Sequence, residues 1–192
     1  QAKIENFING ESLTNEQFAQ ITSVQKDIQR LSQLNKKLVL ISKIDNNQFT
    51  IDEAVIINEI LKEVVNDFRD LTSAEIDIIE KSNLIIHADP QLIRILCSNL
   101  ISNAVKYREA CSKIEVIIQN NYIIVANLGS QSLQEPNKIF SRYYRENNTL
   151  KSTGLGLTIV KKICDLLGFK VFYLYENHQH IFKIDFQNNL KN

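Results

Sequence analysis

The sequence predicts an α+β protein in which a partial helical hairpin is followed by a two-layer α/β sandwich with a mixed sheet. Three observations predict this fold. A helical stripe of apolar residues is confined to the first 48 positions, short β-type runs alternate with amphipathic helices after it, and 192 residues suffice for one domain and an appendage. We therefore expect two domains, residues 1–48 and residues 49–192.

The first domain is predicted from one long helix. Apolar residues recur at alternating steps of three and four from Phe18 to Ile44, which is a heptad-like stripe. Thr14 and Gln17 have the spacing of a capping box that would begin this helix, and residues 1–7 look like the end of a preceding helix. Because one helix cannot bury so narrow a stripe by itself, we expect a homodimer formed through the hairpin.

The second domain is predicted from alternating strand and helix signals. Asp89-Pro90 supplies an N-cap and a first-turn proline, Asn120-Asn121 supplies a hairpin turn, and Gly168 ends the last helix. The expected helices cover residues 55–68, 90–107, 139–145 and 154–167, and the expected strands cover residues 49–51, 76–79, 84–87, 114–118, 122–126, 170–175 and 180–186. This order indicates a mixed sheet with helices on one face.

Composition and charge exclude several classes of function. Because 22 basic residues balance 22 acidic ones, we expect no nucleic-acid partner. The three cysteines are too widely spaced for a zinc site, and Cys97 and Cys164 read as small core residues. No apolar run reaches the length of a membrane span, so we expect no direct membrane contact from this chain. A chain that begins with Gln and lacks Met is expected to be a piece of a longer protein.

Two asparagines on the long helix are the first candidate site. Asn99 and Asn103 lie four positions apart and therefore on one helix face, followed by Lys106 and Tyr107. A neutral amide oxygen suits a magnesium ion that already bridges phosphates. The alternative is a solvent-exposed polar helix face.

A glycine-containing segment, Gly154-Leu155-Gly156-Leu157, runs directly into a helical pattern. Glycines let the backbone approach phosphate, and a helix N-terminus offers unpaired N–H groups. Neither a P-loop nor a complete dinucleotide fingerprint is present. A plain hinge between loop and helix is the alternative.

Two further segments lie between these. The apolar strand that ends at Asn127, with Gly129 two residues later, can present an amide to a base, although a strand followed by a turn explains it as well. Residues 139–145 are aromatic and basic, and their alternative explanation is a packed short helix.

In this order the four segments resemble the ATP-binding domain of sensor histidine kinases. Residues 99–107 match the N-box of that family, 127–131 its first glycine box, 140–145 its aromatic F-box and 154–157 its second glycine box. The stripe resembles the second helix of the family's dimerisation and phosphotransfer hairpin. The resemblance implies the histidine-kinase/gyrase-type ATP-binding fold, ATP and Mg²⁺ as cofactors, and protein-histidine kinase activity.

The resemblance also implies a role for each site residue. Asn103 would meet the magnesium ion, and Asn99 would belong to the phosphate environment. Asn127 would meet the adenine amino group, and Gly129 would give space for the base. Lys106 and Tyr107 would contact phosphate or ribose. A lid and its helix would contain Gly154, Leu155, Gly156 and Leu157. Arg142 or Arg145 would lie near the terminal phosphate.

Asn127 departs from the family pattern, because an Asp usually stands there, and Gln131 replaces the second glycine of the same box. A neutral acceptor is weaker than a charged one, so we expect weaker nucleotide binding.

The histidines are the second departure. His87, His178 and His180 all lack the His-Glu-x-x-x-Pro context of a phosphoacceptor, and we interpret each as a surface histidine. We expect the phosphoacceptor upstream of Gln1, so this chain should bind nucleotide without phosphorylating itself.

The expected function is therefore transfer of the ATP γ-phosphate to that upstream histidine and then to the receiver domain of a response regulator. The chain would be the cytoplasmic portion of a membrane-anchored bacterial sensor. ATPases of the same fold carry a Glu four residues before the magnesium Asn, and Asn99 cannot act as that base, which favours transfer over hydrolysis. A degenerate kinase acting as a dimeric scaffold, suggested by Asn127 and Gln131, is the alternative.

Overall fold

The computed structural model describes residues 14–49, 53–144 and 153–187. The chain divides into two compact units, one up to Ser42 and one from Lys43 onward. None of the described helices combines the length and the apolar composition that crossing a bilayer requires.

Helix α1 covers Asn15–Asp45, and its residues up to Ser42 form the described part of the first unit. Thr14 and Gln17 form the predicted capping box, because the Thr14 N–H donates to Gln17 Oε1 at 3.0 Å and the Gln17 N–H donates to Thr14 Oγ1 at 3.3 Å. Much of the apolar stripe lies exposed in the single chain, as at Phe18 and Leu31, which are 50% and 64% exposed. The predicted helix of residues 1–7 lies outside the described residues.

The second unit begins with a small two-stranded sheet and a helix. Strand β1 (Glu53–Ile56) pairs antiparallel with β3 (Ile85–Ala88), and α2 (Ile57–Leu71) follows β1 directly. The predicted helix start at Val55 is wrong, because Val55 pairs with Ile86 in this sheet. A run of β-branched residues there satisfies its backbone by strand pairing before the helix begins. The strand predicted at 49–51 falls mostly outside the described residues.

The main sheet has five strands in the order β2-β4-β5-β7-β6. The strands are β2 (Ile76–Glu80), β4 (Ile114–Gln119), β5 (Tyr122–Leu128), β6 (Lys170–Glu176) and β7 (Gln179–Asp185). Strands β2 and β4 run parallel, and every other pair is antiparallel, so the predicted mixed sheet is confirmed.

Three helices form the second layer. Helix α2 packs on α3 (Pro90–Tyr107), and α3 packs on α4 (Gly156–Leu167). Contacts of α3 with β5 and of α4 with β6 attach this layer to the sheet, which confirms the two-layer α+β fold. Cys97 and Cys164 are buried core residues, as predicted, and burial raises the pKa of each thiol to about 12.

The short helix predicted at 139–145 is wrong within the described residues. A single 3₁₀ turn covers Pro136–Lys138, and turns follow it up to Tyr143. Tyr143 has a φ of +63°, and its N–H donates to the Gly154 carbonyl at 3.0 Å instead of to a carbonyl one turn earlier. This long-range pairing replaces the helical hydrogen bond.

Candidate functional site

Helix α3 supplies the first wall of the site. The Asp89 side chain accepts from the Gln91 and Leu92 N–H groups at 2.7 and 3.3 Å, which confirms the predicted N-cap. The predicted core positions, Leu96, Leu100 and Ala104, are completely buried. This fixes the rotation of α3 and leaves Asn99 and Asn103 half-buried on another face.

Asn99 connects the first and the last of the four motif segments, residues 99–107 and 154–157. Its amide nitrogen donates to the Ile95 carbonyl at 2.8 Å, which orients the side chain along α3. Its Oδ1 would lie 3.1 Å from a Cβ added at Gly156, the first residue of α4. The two segments predicted to share one site are therefore in contact. Gly156 lacks a side chain at the point where the Asn99 amide approaches the backbone.

The beginning of α4 has the character of an anion site. Its N-cap is Leu155, which is completely buried and offers no side-chain hydrogen bond to the first turn. The N-cap side chain therefore gives the N–H groups of that turn no acceptor, and the helix dipole adds a partial positive charge. Leu157 is half-buried on the same turn.

The backbone of Gly154 lies against Tyr143 of the aromatic segment. It has a φ of +66°, and a Cβ there would lie 2.8 Å from the Tyr143 Cα and carbonyl carbon. Only glycine combines this conformation with so close a backbone approach. The F-box and second glycine box of the sequence are therefore held against one another.

Lys106 places a cation at the end of α3. Its Nζ is buried and has no hydrogen-bond partner in the described part of the structure. It lies 5.1 Å from the centroid of the Tyr107 ring, which is a weak cation–π contact. A buried ammonium group without a hydrogen-bond acceptor is costly, so this position favours a bound anion.

Asn127 and Gly129 lie at the end of β5. Asn127 is 1% exposed, and its amide nitrogen donates to the Leu128 carbonyl at 3.1 Å. Its partners across the sheet are Ile114 on β4 and His180 on β7. A Cβ at Gly129 would lie 2.4 Å from both Cδ2 and Nε2 of His180, so the imidazole fills the space beside this glycine.

Of the two arginines predicted near the terminal phosphate, Arg142 lies within the described residues and Arg145 does not. Arg142 is half exposed and its guanidinium lies 3.4 Å from the Asp45 carboxylate, which also pairs with Lys162. The ion pair with Asp45, rather than side-chain packing, therefore determines where the Arg142 guanidinium lies. Arg145 lies outside the described residues.

Metal binding at this site would depend on amide and ligand oxygens. Within the described ranges, no group of three or more His, Cys, Asp or Glu side chains is placed to hold a metal ion. Asn103 offers one neutral oxygen, and a magnesium ion bound with a nucleotide obtains its other ligands from phosphates and water. The residues present fit an ion that arrives with a nucleotide.

An aromatic cluster beside Gly129 was not predicted from the sequence. The Tyr173 hydroxyl lies 2.8 Å from His180 Nδ1, and the Tyr175 hydroxyl donates to the Gly129 carbonyl at 3.0 Å. The interpretation of His180 as a surface histidine is therefore wrong. Alternation along β6 places both tyrosines on one face, but only the register of β7 against β5 and β6 brings them to Gly129.

The chain matches the family of histidine kinase-, DNA gyrase B- and HSP90-like ATPases over residues 88–188. It is 32% identical over 171 residues to the sensor histidine kinase HprS of Escherichia coli K12, a match that covers 83% of this chain and 37% of HprS. It is 30% identical over 144 residues to the heme sensor protein HssS of Staphylococcus epidermidis, with coverage of 71% and 32%. The chain thus spans about a third of the length of these curated relatives.

Solved structures agree on the fold. The Acinetobacter baumannii histidine kinase AdeS superposes with a TM-score of 0.71 at 21% identity, covering 100% of this chain and 93% of that one. The mycobacterial sensor histidine kinase MprB superposes at 0.62 and 20% identity, covering 70% and 95%. The chain therefore belongs to the histidine kinase-, DNA gyrase B- and HSP90-like ATPase family, as a sensor histidine kinase catalytic domain. The resemblance predicted from the motifs is confirmed.

Proposed function

We propose that this chain binds ATP with Mg²⁺ between α3 and α4 and supplies the γ-phosphoryl group to a histidine that precedes residue 1. The buried Nζ of Lys106, which has no hydrogen-bond partner in the described ranges, carries this proposal. Burial disfavours an unpaired ammonium, and a phosphate oxygen would give it both a countercharge and an acceptor. The contact of Asn99 with Gly156 supports the same site from two elements.

Each residue has a role that follows from its chemistry. Lys106 and the N–H groups at the beginning of α4 would bind phosphate, and Tyr107 would lie at phosphate or ribose. Asn103 would contribute an amide oxygen to the magnesium ion, which neutralises charge on the transferring phosphate. Asn127 would accept a hydrogen bond from the adenine amino group. Arg142 would have to leave Asp45 before it could reach a terminal phosphate.

Asn99 favours transfer to a protein side chain over hydrolysis. An amide cannot take a proton from water, so the position that would hold a general base in a hydrolysing relative does not do so here. The acceptor is then a nucleophile brought to the site by another part of the protein. We propose that this is the upstream histidine and that a response regulator receiver domain receives the phosphoryl group from it.

The proposal extends to the whole protein. We propose that residues 1–48 belong to a dimerising phosphotransfer hairpin, that residues 49–192 form the catalytic domain, and that the full protein is a membrane-anchored sensor with this portion in the cytoplasm. The relatives HprS and HssS are named as sensor proteins, which supports this assignment.

Calorimetric titration of the chain with ATP, with and without Mg²⁺, tests nucleotide binding. We expect Mg²⁺-dependent binding that Lys106→Ala weakens by at least about tenfold, because a charge-assisted hydrogen bond contributes about 1.5–3 kcal/mol. Lys161→Ala is the matched control, since Lys161 is exposed on α4 and pairs with Asp165. Equal affinities of the Lys106→Ala and Lys161→Ala variants would contradict this placement of the phosphates.

Phosphate incorporation from labelled ATP into the longer protein tests the transfer step. We expect incorporation that Asn103→Ala reduces by at least about tenfold, since the ion loses a ligand. A folded, ATP-binding, complete protein that incorporates no phosphate under activating conditions would instead identify it as a signalling scaffold.

A further inference from the structure

We propose that His180 is a positioning residue of the base subsite and that residue 129 is a glycine because the His180 imidazole occupies the space a side chain would take. This inference rests on the proposed function in one respect only, that Asn127 binds the adenine amino group. The seating of His180 against Gly129 does not depend on any nucleotide.

The register of the sheet places His180 beside the base anchor. Asn127 on β5 and His180 on β7 are direct partners in an antiparallel pair, so their side chains leave the same face of the sheet as nearest neighbours. The backbone pairing continues one step further, because the Gly129 N–H donates to the His178 carbonyl at 2.9 Å. His180 therefore lies against the whole corner formed by residues 127–129.

The orientation of the His180 ring is determined on two sides. Its Nδ1 lies 2.8 Å from the Tyr173 hydroxyl, and the Tyr175 ring lies 5.1 Å away at a tilt of 50°. The Nε2 and Cδ2 edge faces Gly129, where a Cβ would approach both atoms to 2.4 Å. A real Cβ never tolerates such a distance, so any side chain at position 129 would displace the imidazole or the strand end.

Tyr175 contacts both Gly129 and His180. Its hydroxyl donates to the Gly129 carbonyl at 3.0 Å, while its ring packs against His180. Tyr175 on β6 and His180 on β7 thus both lie against Gly129 at the end of β5. Since Asn127 is 1% exposed and only two residues away, a shift of this corner would move its amide oxygen relative to the base.

This arrangement changes the expected reason for Gly129. If the glycine served only to admit the base, its substitution would weaken nucleotide binding whatever residue stood at position 180. If it serves to seat His180, the two positions are coupled, and removal of the imidazole makes a methyl group at position 129 acceptable. A double-mutant cycle distinguishes these explanations.

The experiment compares ATP with inosine triphosphate, which carries the same triphosphate and ribose but an oxygen in place of the adenine amino group. Affinities are measured by calorimetry for the unaltered chain and for His180→Ala, Gly129→Ala, His180→Ala/Gly129→Ala and Tyr173→Phe. His178→Ala is the matched histidine control, because His178 is exposed on the turn between β6 and β7. The unliganded thermal midpoint of every variant is measured in parallel.

We expect the unaltered chain to bind ATP about tenfold more tightly than inosine triphosphate, which is the effect of one hydrogen bond. His180→Ala and Gly129→Ala should each reduce this preference to less than about twofold, and the double variant should be no worse than His180→Ala alone. Tyr173→Phe keeps the ring and removes the hydroxyl, so it should give an intermediate preference with a nearly unchanged thermal midpoint. Affinity for inosine triphosphate should stay within about twofold throughout, because the triphosphate contacts lie on α3 and α4.

Three outcomes would overturn this inference. A retained ATP preference in His180→Ala would show that His180 does not position the anchor. Additive losses in the unliganded thermal midpoint for the two substitutions would show that Gly129 does not seat His180. A loss of the preference in His178→Ala equal to that in His180→Ala would assign it to the turn as a whole. Failure of the unaltered chain to bind either nucleotide would instead contradict the proposed function, while the coupling of positions 129 and 180 in the unliganded thermal midpoints would still test the seating itself.

Discussion

At the scale of single residues, Asn127 shows why a neutral amide can stand where the family usually has a carboxylate. The side chain is 1% exposed, and a buried charge without a partner costs far more than a buried amide. Its amide nitrogen is satisfied by the Leu128 carbonyl. A neutral amide is therefore less costly to bury at this position, and in the proposed base site it would be a weaker acceptor than a carboxylate.

Replacement of Asn127 by Ala tests this residue as the base anchor. We expect ATP to bind about tenfold more weakly, because one neutral hydrogen bond is lost, and calorimetry measures the change. Asn66→Ala, at an exposed asparagine of α2, is the control and should leave ATP binding unchanged. Tight Mg²⁺-dependent binding that Asn127→Ala does not affect would show that the base lies elsewhere.

Gly154 and Gly168 provide a matched pair of left-handed glycines. Both have positive φ values, +66° and +72°, but only Gly154 has backbone atoms within 3 Å of a would-be Cβ. We expect Gly168→Ala to cost about 1 kcal/mol in the free energy of unfolding through its φ alone. Gly154→Ala should additionally accelerate amide exchange at Tyr143, whose N–H donates to the Gly154 carbonyl. Unchanged exchange at Tyr143 would mean that the aromatic segment accommodates the methyl group.

At the scale of elements, one polar side chain connects α2 to the turn between β2 and β3. Asn58 donates to Glu80 Oε2 at 2.8 Å and to the Ser82 carbonyl at 3.1 Å, and it accepts from the Leu84 N–H at 3.0 Å. A buried side chain with this many partners stabilises a specific packing of helix on sheet. The Glu80 carboxylate is further paired with Lys62 at 2.9 Å.

The pH dependence of stability should report this connection. The Asn58 amide, and then Lys62, lower the pKa of Glu80 below its ordinary value of 4.5. A carboxyl whose pKa is depressed on folding stabilises the folded state above its unfolded pKa, and this contribution is lost as pH falls through the folded pKa. We therefore expect Glu80→Gln to lower the thermal midpoint at neutral pH and to flatten its decline below about pH 4.5.

A series of thermal scans between pH 7 and pH 3 measures this effect. Glu59→Gln, a change at an exposed carboxylate of α2, is the charge-matched control. Identical acid profiles for the Glu80→Gln and Glu59→Gln variants would show that the Asn58 and Lys62 contacts do not contribute to stability.

At the scale of the whole molecule, α1 presents apolar residues that the single chain leaves uncovered. Val24, Ile28 and Leu31 are 54%, 49% and 64% exposed, on one stripe of a 31-residue helix. Such a stripe is typical of a helix that packs on another helix in a bundle or a coiled coil. The homodimer inferred from the sequence stays a prediction.

Sedimentation equilibrium tests that prediction directly. We expect the chain to sediment as a dimer and Leu31→Glu to shift it toward the monomer, because a charge within the apolar seam must be desolvated. Gln33→Glu adds the same charge off the stripe and should leave the association unchanged. A monomeric unaltered chain, or equal effects of the two substitutions, would contradict dimerisation through this stripe.

The sequence by itself determined what local physics controls. The helical period of α1 and α3, the Thr14 and Asp89 caps, the Asn120-Asn121 turn and the Gly168 stop are each set by residues within a few positions of one another. The order of four motifs identified the family for the same reason, since each motif is short and contiguous.

Only the tertiary structure decided which of these segments meet. Val55 became a strand residue because Ile86 was available to pair with it, and residues 139–143 became turns because Gly154 provides the acceptor for Tyr143. Asn99 meets Gly156, and His180 meets Gly129, through helix packing and strand register across about fifty residues of chain. Local sequence carries no signal for such pairings, because their free energy comes from burial and hydrogen bonds that exist only after the sheet and its helices have assembled.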